Sequence, residues 1–267
     1  MRVLLPIAIA LLVAAGCSTA PADAPRGAVE LRADVLEEIP HDPEAFTQGF
    51  ELVDGVLYEG TGLEGSSTLR ATDPETGEVR QQVALPDDMF GEGITVVDDT
   101  IWQLTWQEGV AIRRDRETFA EADRATYDGE GWGLCHDPAA DRLIMSNGTD
   151  RLSFRDPETF AETGDTAVRD SDGEPVSELN ELECVPDQDG RIQVYANVWK
   201  TDEIVRIDPA SGRVTATVDL SGLLSEEERA DVDVLNGIAA IPGTNEFLVT
   251  GKLWPTMFRV RFVTTSP

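Results

Sequence analysis

The chain is poor in histidine, cysteine and basic residues. Of its 267 residues, two are histidine and three are cysteine, and 51 acidic residues outnumber 21 basic ones to give a formal net charge of −30. Zinc sites combine Cys and His at short intervals. Neither His41 nor His136 has such a partner, so we expect no metal site of this kind. Nucleic-acid binding requires a basic surface that neutralises phosphates, so the composition excludes nucleic acid as a partner.

Long apolar runs are absent except at the N-terminus. Met1 and Arg2 precede an apolar run over residues 4–13, and small residues follow it. This is the pattern of a secretory signal. The run is shorter than the about 20 apolar residues that a membrane-spanning helix needs. No later segment of the sequence is apolar enough to span a membrane.

Cys17 directly follows Ala14-Ala15-Gly16, which resembles the site of lipid attachment in bacterial lipoproteins. We therefore expect residues 1–17 to be a signal peptide with a lipobox cysteine at Cys17. Residues 18–28, rich in Ala and Pro, predict a tether. The expected location is extracytoplasmic, at the cell membrane through a lipid anchor only. An ordinary cleaved signal, giving a secreted protein, is the alternative.

Residues 29–263 are the size of one all-β domain or two small ones, and we interpret them as a single domain. Cys135 and Cys184 are the cysteines within it. In an oxidising compartment they could pair as a disulfide, and they could equally be two buried small hydrophobic residues. The sequence leaves both interpretations open.

A repeated turn motif indicates the fold of this domain. An apolar strand runs into Asp-Pro-x-Thr/Ser at Asp73, Asp156 and Asp208, and into a looser copy at Asp115; successive aspartates are 42, 41 and 52 residues apart. Asp caps its own backbone and Pro fixes φ, so these segments predict hairpin turns. The interval suits the four-stranded blade of a β-propeller.

A fifth copy of the motif is interrupted by the chain ends. Residues 258–262 match the strand before the turn, and residues 29–35 can supply the strand that follows it. We therefore predict an all-β, five-bladed β-propeller closed by an N-terminal strand that completes the last blade. A doubly wound α/β fold is disfavoured because only residues 225–231 have a helical pattern.

Superposition of the repeats brings five residues to equivalent positions before the inner strands: Gln48, Glu92, Trp132, Asn180 and Asn236. If these residues begin the innermost strands, their side chains surround one mouth of the channel. Taken singly, an Asn or Gln at such a position could merely satisfy a strand end. An acid, an indole and three carboxamides at equivalent positions together favour a binding site.

A second set of equivalent residues lies nine positions before each hairpin: Trp106, Asn147, Trp199 and Lys252. We expect these side chains to line the same face. The two tryptophans could pack between blades, or they could form an aromatic wall around a ligand. Lys252 is the strongest indication of a functional site in this set. The chain has two lysines against nineteen arginines, so a lysine at this position indicates that a compact point charge is needed there. The second lysine, Lys200, is interpreted as a solvated neighbour of Trp199.

The segments around these residues resemble the plant-type glutaminyl-peptide cyclotransferases and their bacterial relatives. The resemblance covers about residues 28–263 and rests on segments in family order: 46–49, 90–95, 131–134, 179–183, 196–199, 235–239 and 251–255. It implies a five-bladed propeller enzyme that converts the N-terminal glutamine of peptides or proteins to pyroglutamate and releases ammonia.

The resemblance, combined with residue chemistry, implies a role for each site residue. Glu92 would shuttle the proton, and Lys252 and Asn180 would stabilise the oxyanion. The substrate-binding residues would be Gln48, Trp106, Trp132 and Trp199, with Gln48 a further candidate oxyanion donor. We expect a monomer that needs no cofactor. A structural cation held by backbone carbonyls in the channel is left open.

Two other functions were weighed. A non-catalytic envelope lipoprotein could use the same ring to bind peptide ends, with Lys252 pairing a carboxylate, but Glu92, Lys252 and three tryptophans together favour the enzyme. A metal-dependent lactonase-like propeller would have six blades and an axial calcium. Five repeats and a single carboxylate in the inner ring, Glu92, oppose that second function.

Overall fold

A computed structural model describes residues 27–265. Within this range the chain forms 20 β-strands and one 3-10 helical turn, Glu228–Asp231, so the all-β prediction is confirmed. The predicted signal peptide, Cys17 and nearly all of the predicted tether over residues 18–28 lie outside the described residues. No helix between residues 27 and 265 is long and apolar enough to cross a membrane.

Three sheets have four strands each and a fourth sheet has eight. The first four-stranded sheet contains β2 (Thr47–Val53), β3 (Val56–Thr61), β4 (Thr68–Thr72) and β5 (Val79–Ala84). The second contains β6 (Gly91–Val97), β7 (Thr100–Thr105), β8 (Val110–Asp115) and β9 (Glu121–Thr126). The third contains β10 (Leu134–Asp137), β11 (Arg142–Met145), β12 (Arg151–Arg155) and β13 (Glu162–Ala167). The eight-stranded sheet contains β1 (Val29–Pro40), β14 (Leu179–Pro186), β15 (Ile192–Val198), β16 (Glu203–Asp208), β17 (Arg213–Asp219), β18 (Leu235–Ala240), β19 (Glu246–Gly251) and β20 (Thr256–Thr264).

The first strand joins the two halves of the eight-stranded sheet, whose order is β14-β15-β16-β17-β1-β20-β19-β18. Residues 31–40 of β1 pair antiparallel with β20, which is the predicted pairing of the first and last strands. Residues 29–32 also pair in parallel with β17, which the sequence did not predict. The reason is length, because the 12 residues of β1 exceed the 9 of β20 and its first residues reach the neighbouring sheet.

The first strands of the successive groups contact one another in a closed circuit: β2 contacts β6, β6 contacts β10, β10 contacts β14, β14 contacts β18, and β18 contacts β2. Glycine permits this close approach. A Cβ atom at Gly49 would overlap the backbone of Ile94, and one at Gly133 would overlap the carbonyl group of Asn180. The apolar core fills the spaces between neighbouring sheets and the space between the two halves of the eight-stranded sheet.

The predicted hairpin chemistry is present at the turns. Asp73 Oδ1 accepts hydrogen bonds from the backbone N–H groups of Glu75 and Thr76, at 2.9 and 3.0 Å. Equivalent bonds occur at Asp115, Asp156 and Asp208. Cys135 and Cys184 form a disulfide between β10 and β14 with a Cα–Cα distance of 5.4 Å, which decides between the two interpretations left open by the sequence.

Candidate active site

Irregularities at the start of four inner strands present polar side chains to the centre of the circuit. The strand register shifts between residues 47 and 49 in β2, 91 and 94 in β6, 179 and 182 in β14, and 235 and 238 in β18. Such a bulge leaves a residue outside the ladder and redirects its side chain. The residues set free in this way include Gln48, Glu92, Asn180 and Asn236, all of them buried.

These side chains open onto a cavity of about 380 Å³. Its lining contains the predicted site residues Gln48, Glu92, Trp106, Trp132, Asn180, Trp199 and Lys252, together with Phe46, Phe90, Lys200, Asp233 and Val234. The structure therefore brings together residues that lie in or next to all four sheets and are far apart in sequence. A cavity of this size with aromatic walls and a few convergent polar groups is typical of a small-ligand or peptide-end site.

Glu92 is the buried acid of this cavity, with 4% of its surface exposed. Its Oε1 accepts a hydrogen bond of 2.9 Å from Gln48 Nε2, whereas its Oε2 has no hydrogen-bond partner among residues 27–265. Burial raises the pKa of Glu92 well above its usual value; the Lys252 charge opposes this, and the Glu130 and Glu108 charges add to it. A raised pKa makes the acid easier to protonate, which suits a group that must both accept and donate a proton.

Lys252 lines the same cavity as Glu92. Burial lowers the pKa of its ammonium group, and the charges of Glu92 and Asp233 oppose that shift. The Nζ atom is 4.9 Å from the centroid of the Phe46 ring. Among the described residues no carboxylate pairs with it within 4.0 Å, so its charge is available to a group that enters the cavity.

A second buried acceptor faces the same space. Asn180 has 3% of its surface exposed, and its Oδ1 has no hydrogen-bond partner in the part of the chain that the structure describes. A buried polar atom without a partner costs free energy. Glu92 Oε2 and Asn180 Oδ1 are both acceptors, so a ligand that satisfies them carries hydrogen-bond donors.

Asn236 supports the site without lining it. Its Nδ2 donates hydrogen bonds to Gln48 Oε1 at 3.2 Å and to the carbonyl oxygen of Thr47 at 3.0 Å. Gln48 in turn donates to Glu92. The three residues form a chain of hydrogen bonds that fixes the orientation of the Glu92 carboxylate.

Glu130 holds two of the cavity tryptophans in place. Its Oε2 accepts hydrogen bonds from the indole N–H groups of Trp106, at 2.9 Å, and Trp132, at 3.0 Å. Gln107 donates to Oε1 at 2.9 Å. Trp132 also meets the Trp199 ring edge-on, with a centroid distance of 5.4 Å and an interplanar angle of 80°. The aromatic wall is thus a connected unit.

Of the nine residues at the two sets of equivalent positions, seven line the cavity and two, Asn236 and Asn147, do not. Asn147 is exposed and accepts hydrogen bonds from Thr149 within its own turn. The next residue, Gly148, lies against the indole of Trp132 at a φ of +76°, and a Cβ atom there would overlap that ring. In this repeat the chain therefore leaves space for the Trp132 ring, and it contributes no side chain of its own at the position equivalent to Trp106 and Trp199.

Sequence reasoning missed several residues of the site. Phe46 and Phe90 lie within the segments that carry the family resemblance, so a signal for them was present. Glu130 is one of 51 acidic residues and has no pattern of its own. Lys200 is exposed, as expected, but it also lines the cavity.

A further carboxylate lies behind the ring where the other repeats have glycine. Glu181 accepts hydrogen bonds from the backbone N–H groups of Phe50, at 3.3 Å, and Ile238, at 2.9 Å. Burial raises its pKa well above the usual value. Its carboxylate satisfies backbone groups near the bulges of β2 and β18. No group of three or more His, Cys, Asp or Glu within residues 27–265 is arranged to hold a metal ion.

Comparisons with known proteins identify the family of the chain. The glutaminyl-peptide cyclotransferase of Arabidopsis thaliana is 36% identical over 239 residues, which cover 87% of this chain and 72% of the relative. The crystal structure of the Myxococcus xanthus glutaminyl cyclase matches with a TM-score of 0.78 and 34% identity, over 90% of this chain and 100% of that one. The family model described as glutamine cyclotransferase matches residues 8–262. The resemblance found in the sequence is confirmed, and the chain belongs to the glutamine cyclotransferase family.

Proposed function

We propose that the chain is a glutaminyl-peptide cyclotransferase that converts the N-terminal glutamine of peptides or proteins to pyroglutamate and releases ammonia. The observation that carries this proposal is Glu92, a buried acid in an aromatic cavity that Lys252 also lines. Gln48 holds one of its oxygens, and the other has no hydrogen-bond partner among residues 27–265. The names of the Arabidopsis and Myxococcus relatives support the same activity.

The cavity would fold the substrate onto itself. The α-amine and the side-chain carboxamide must meet, and holding them in that geometry removes an entropic part of the barrier. The indoles of Trp106, Trp132 and Trp199 form walls for the aliphatic part of the glutamine. Glu92 Oε2 and Asn180 Oδ1 have no hydrogen-bond partner within the described range 27–265, and they would accept from the amine and the carboxamide N–H groups.

Glu92 is proposed to move one proton in two steps. The amine nitrogen forms a bond to the carboxamide carbon, the carbonyl π electrons move to the oxygen, and the Glu92 carboxylate takes a proton from that amine nitrogen. The resulting acid gives the proton to the former amide nitrogen. The C–N bond then breaks, its electron pair leaves with ammonia, and the lactam carbonyl re-forms. Glu92 ends as a carboxylate, and its raised pKa suits both transfers.

The negative oxygen of the intermediate needs nearby donors. The Lys252 ammonium and the Asn180 side-chain amide line the cavity and are assigned this role. Gln48 is assigned a different one. Its amide N–H donates to Glu92 and its carbonyl accepts from Asn236, so it positions the acid more than it stabilises the oxyanion.

The strand groups also support a five-bladed propeller closed by β1. The blades would be β2–β5, β6–β9, β10–β13, β14–β17, and β18–β20 with β1. The closed circuit of contacts among β2, β6, β10, β14 and β18 supports this assignment. The parallel pairing of β1 with β17 then connects the last two blades. Because one chain supplies the whole cavity, we propose that the monomer is active.

We also propose that the protein is exported and anchored through a lipid on Cys17. The Cys135–Cys184 disulfide supports an oxidising compartment. Fractionation of cells that produce the full chain tests the anchor. The wild type is expected with the membranes and Cys17→Ala in the soluble fraction, and equal membrane association of both would refute lipidation at Cys17.

The activity is tested with purified protein and a short peptide that begins with glutamine. Mass spectrometry and an ammonia assay are expected to find loss of one ammonia per peptide. The N-acetylated peptide is the matched control, because it has the same carboxamide but no nucleophilic amine. If a folded protein leaves the free peptide unchanged yet binds it, the binding propeller replaces the enzyme as the function.

A further inference from the structure

A second cavity of about 330 Å³ adjoins the proposed active site. Lys200, Asp233 and Val234 line both cavities. Buried Leu224, Leu235 and Trp254 contribute to the second cavity, and Thr201, Asp202 and Arg229 lie around it. If the first cavity holds the glutamine, the rest of a peptide must leave it, and the second cavity is a groove that shares three lining residues with the first.

The wall between the two cavities is fixed to the proposed active site. The backbone N–H of Asp233 donates to the carbonyl oxygen of Lys252 at 3.0 Å, and the N–H of Lys252 donates to the carbonyl oxygen of Val234 at 2.9 Å. The indole N–H of Trp254 donates to the carbonyl oxygen of Asp233 at 2.9 Å. The shared wall is therefore rigid relative to Lys252.

Lys200 stands at the junction in a constrained conformation. Its φ is +65°, a region that residues other than glycine seldom occupy and that is often found at functional sites. The N–H of Thr201 donates to the carbonyl oxygen of Val198 at 3.1 Å and closes this turn. The turn puts the ammonium nitrogen 3.8 Å from the centroid of the Trp199 ring, on the wall of the glutamine cavity.

Lys200 is also the cation of the groove whose charge is available to a ligand. Arg229 pairs with Asp202 at 3.1 Å, and Asp233 Oδ1 accepts the N–H of Val234 at 2.7 Å. Within residues 27–265, Lys200 has a contact with the Trp199 ring and no carboxylate within 4.0 Å. Both lysines of a chain with nineteen arginines thus line the same cavity, which favours a role for each.

We propose that this groove is the subsite for the residues that follow the N-terminal glutamine, and that Lys200 gives it a preference for a carboxylate. The inference rests on the proposed function. The groove lining carries two cations, Lys200 and Arg229, and two acids, Asp202 and Asp233. The charges of the groove lining therefore sum to zero, whereas the whole chain has a net charge of −30. The overall charge attracts basic peptides, so a preference for acidic ones would have to come from a local contact.

Peptides that differ only in the second residue test the subsite. Gln-Glu, Gln-Gln and Gln-Lys peptides with the same neutral continuation are compared by kcat/KM at low salt. The wild type is expected to favour Glu over its isostere Gln by about three- to fivefold, the size of an exposed ion pair. This ratio is expected to fall towards one in high salt. A Gln-Gly dipeptide and its amide distinguish a main-chain carboxylate from a side-chain one.

Two variants assign the preference to Lys200. Lys200→Gln is expected to bring the Glu/Gln ratio to about one, and Lys200→Arg to retain part of it. Arg191→Gln is the matched control, because it removes one exposed cation at the opposite end of β15, and the ratio is expected to persist. Equal turnover of all peptides by the wild type, or an unchanged ratio in Lys200→Gln, would overturn the subsite proposal while the cyclase activity stands. Turnover of no peptide would overturn both.

Discussion

Gln48 donates a hydrogen bond of 2.9 Å from its Nε2 to Oε1 of Glu92, and it is itself oriented by Asn236. This bond fixes the Glu92 carboxylate with Oε2 directed away from Gln48 and free of partners among residues 27–265. A proton shuttle needs such a fixed orientation, because the same oxygen must first meet the amine and then the leaving nitrogen.

Replacing Gln48 with alanine is therefore expected to lower kcat by about tenfold and to change KM by less than about threefold, since one hydrogen bond to a charged group is lost. Steady-state kinetics with a Gln-initiated peptide measures this. Gln81→Ala, on β5, is the control and should match the wild type. A Gln48→Ala variant that changes KM alone would contradict a positioning role.

The charge of Lys252 gives a pH prediction with a definite sign. Glu92 must be a carboxylate to accept the amine proton, so kcat/KM rises with pH as Glu92 ionises. The Lys252 charge lowers the pKa of Glu92, so Lys252→Met is expected to raise it and to move the acidic limb of kcat/KM to higher pH. The amine of the substrate titrates identically in the assays of the wild type and the variant. A difference between the two pH profiles therefore reports a group of the enzyme. An acidic limb that stays in place or moves to lower pH would show that the two groups do not interact.

Neutralising Glu130 is expected to move the acidic limb of the pH profile of kcat/KM to lower pH. The Glu130 charge raises the pKa of Glu92, so Glu130→Gln lowers it. The variant keeps one acceptor oxygen, whereas Glu130 uses one oxygen for the indoles of Trp106 and Trp132 and the other for Gln107. At least one of these hydrogen bonds is lost, so KM should increase by up to about tenfold. Kinetics across pH and tryptophan fluorescence measure both effects. Glu121→Gln, on the exposed strand β9, is the control. An unchanged KM and pH profile would remove Glu130 from the site.

The disulfide between β10 and β14 is expected to contribute to stability. Its cysteines are 49 residues apart, and closing a loop of that length in the unfolded chain corresponds to about 4 kcal/mol in the chain-entropy model. The double variant Cys135→Ala/Cys184→Ala should lose about 2–4 kcal/mol of unfolding free energy in urea titrations. Reductant should destabilise the wild type and leave the double variant unaffected. Equal midpoints for the two proteins under oxidising conditions would refute this contribution.

The sequence could predict the site residues that recur in each repeat. Gln48, Glu92, Trp132, Asn180 and Asn236 occupy equivalent positions, and the bulges at the inner strands explain why residues there face the centre. The strands on either side of each Asp-Pro turn are also predictable, because the turn motif recurs in the successive repeats. Turn-forming residues and repeated motifs can both be recognised from the amino-acid sequence without knowledge of the fold.

What the sequence could not predict depends on contacts between repeats. Glu130 acts through two indoles that only the folded sheets bring together, and Glu181 satisfies backbone groups on β2 and β18. The pairing of β1 with β17 depends on how far one strand extends past its neighbour. Lys200 was interpreted as a solvated residue because its contact with two adjoining cavities requires the turn after β15.

The central claim, that Glu92 carries the proton, is tested most directly by the turnover of Glu92→Gln. The replacement keeps the size of the side chain and removes its ability to exchange a proton, so kcat for a Gln-initiated peptide should fall by about 10²- to 10⁴-fold. The circular dichroism spectrum and the thermal midpoint should show that the variant still folds. A folded variant that retains wild-type turnover would contradict the mechanism.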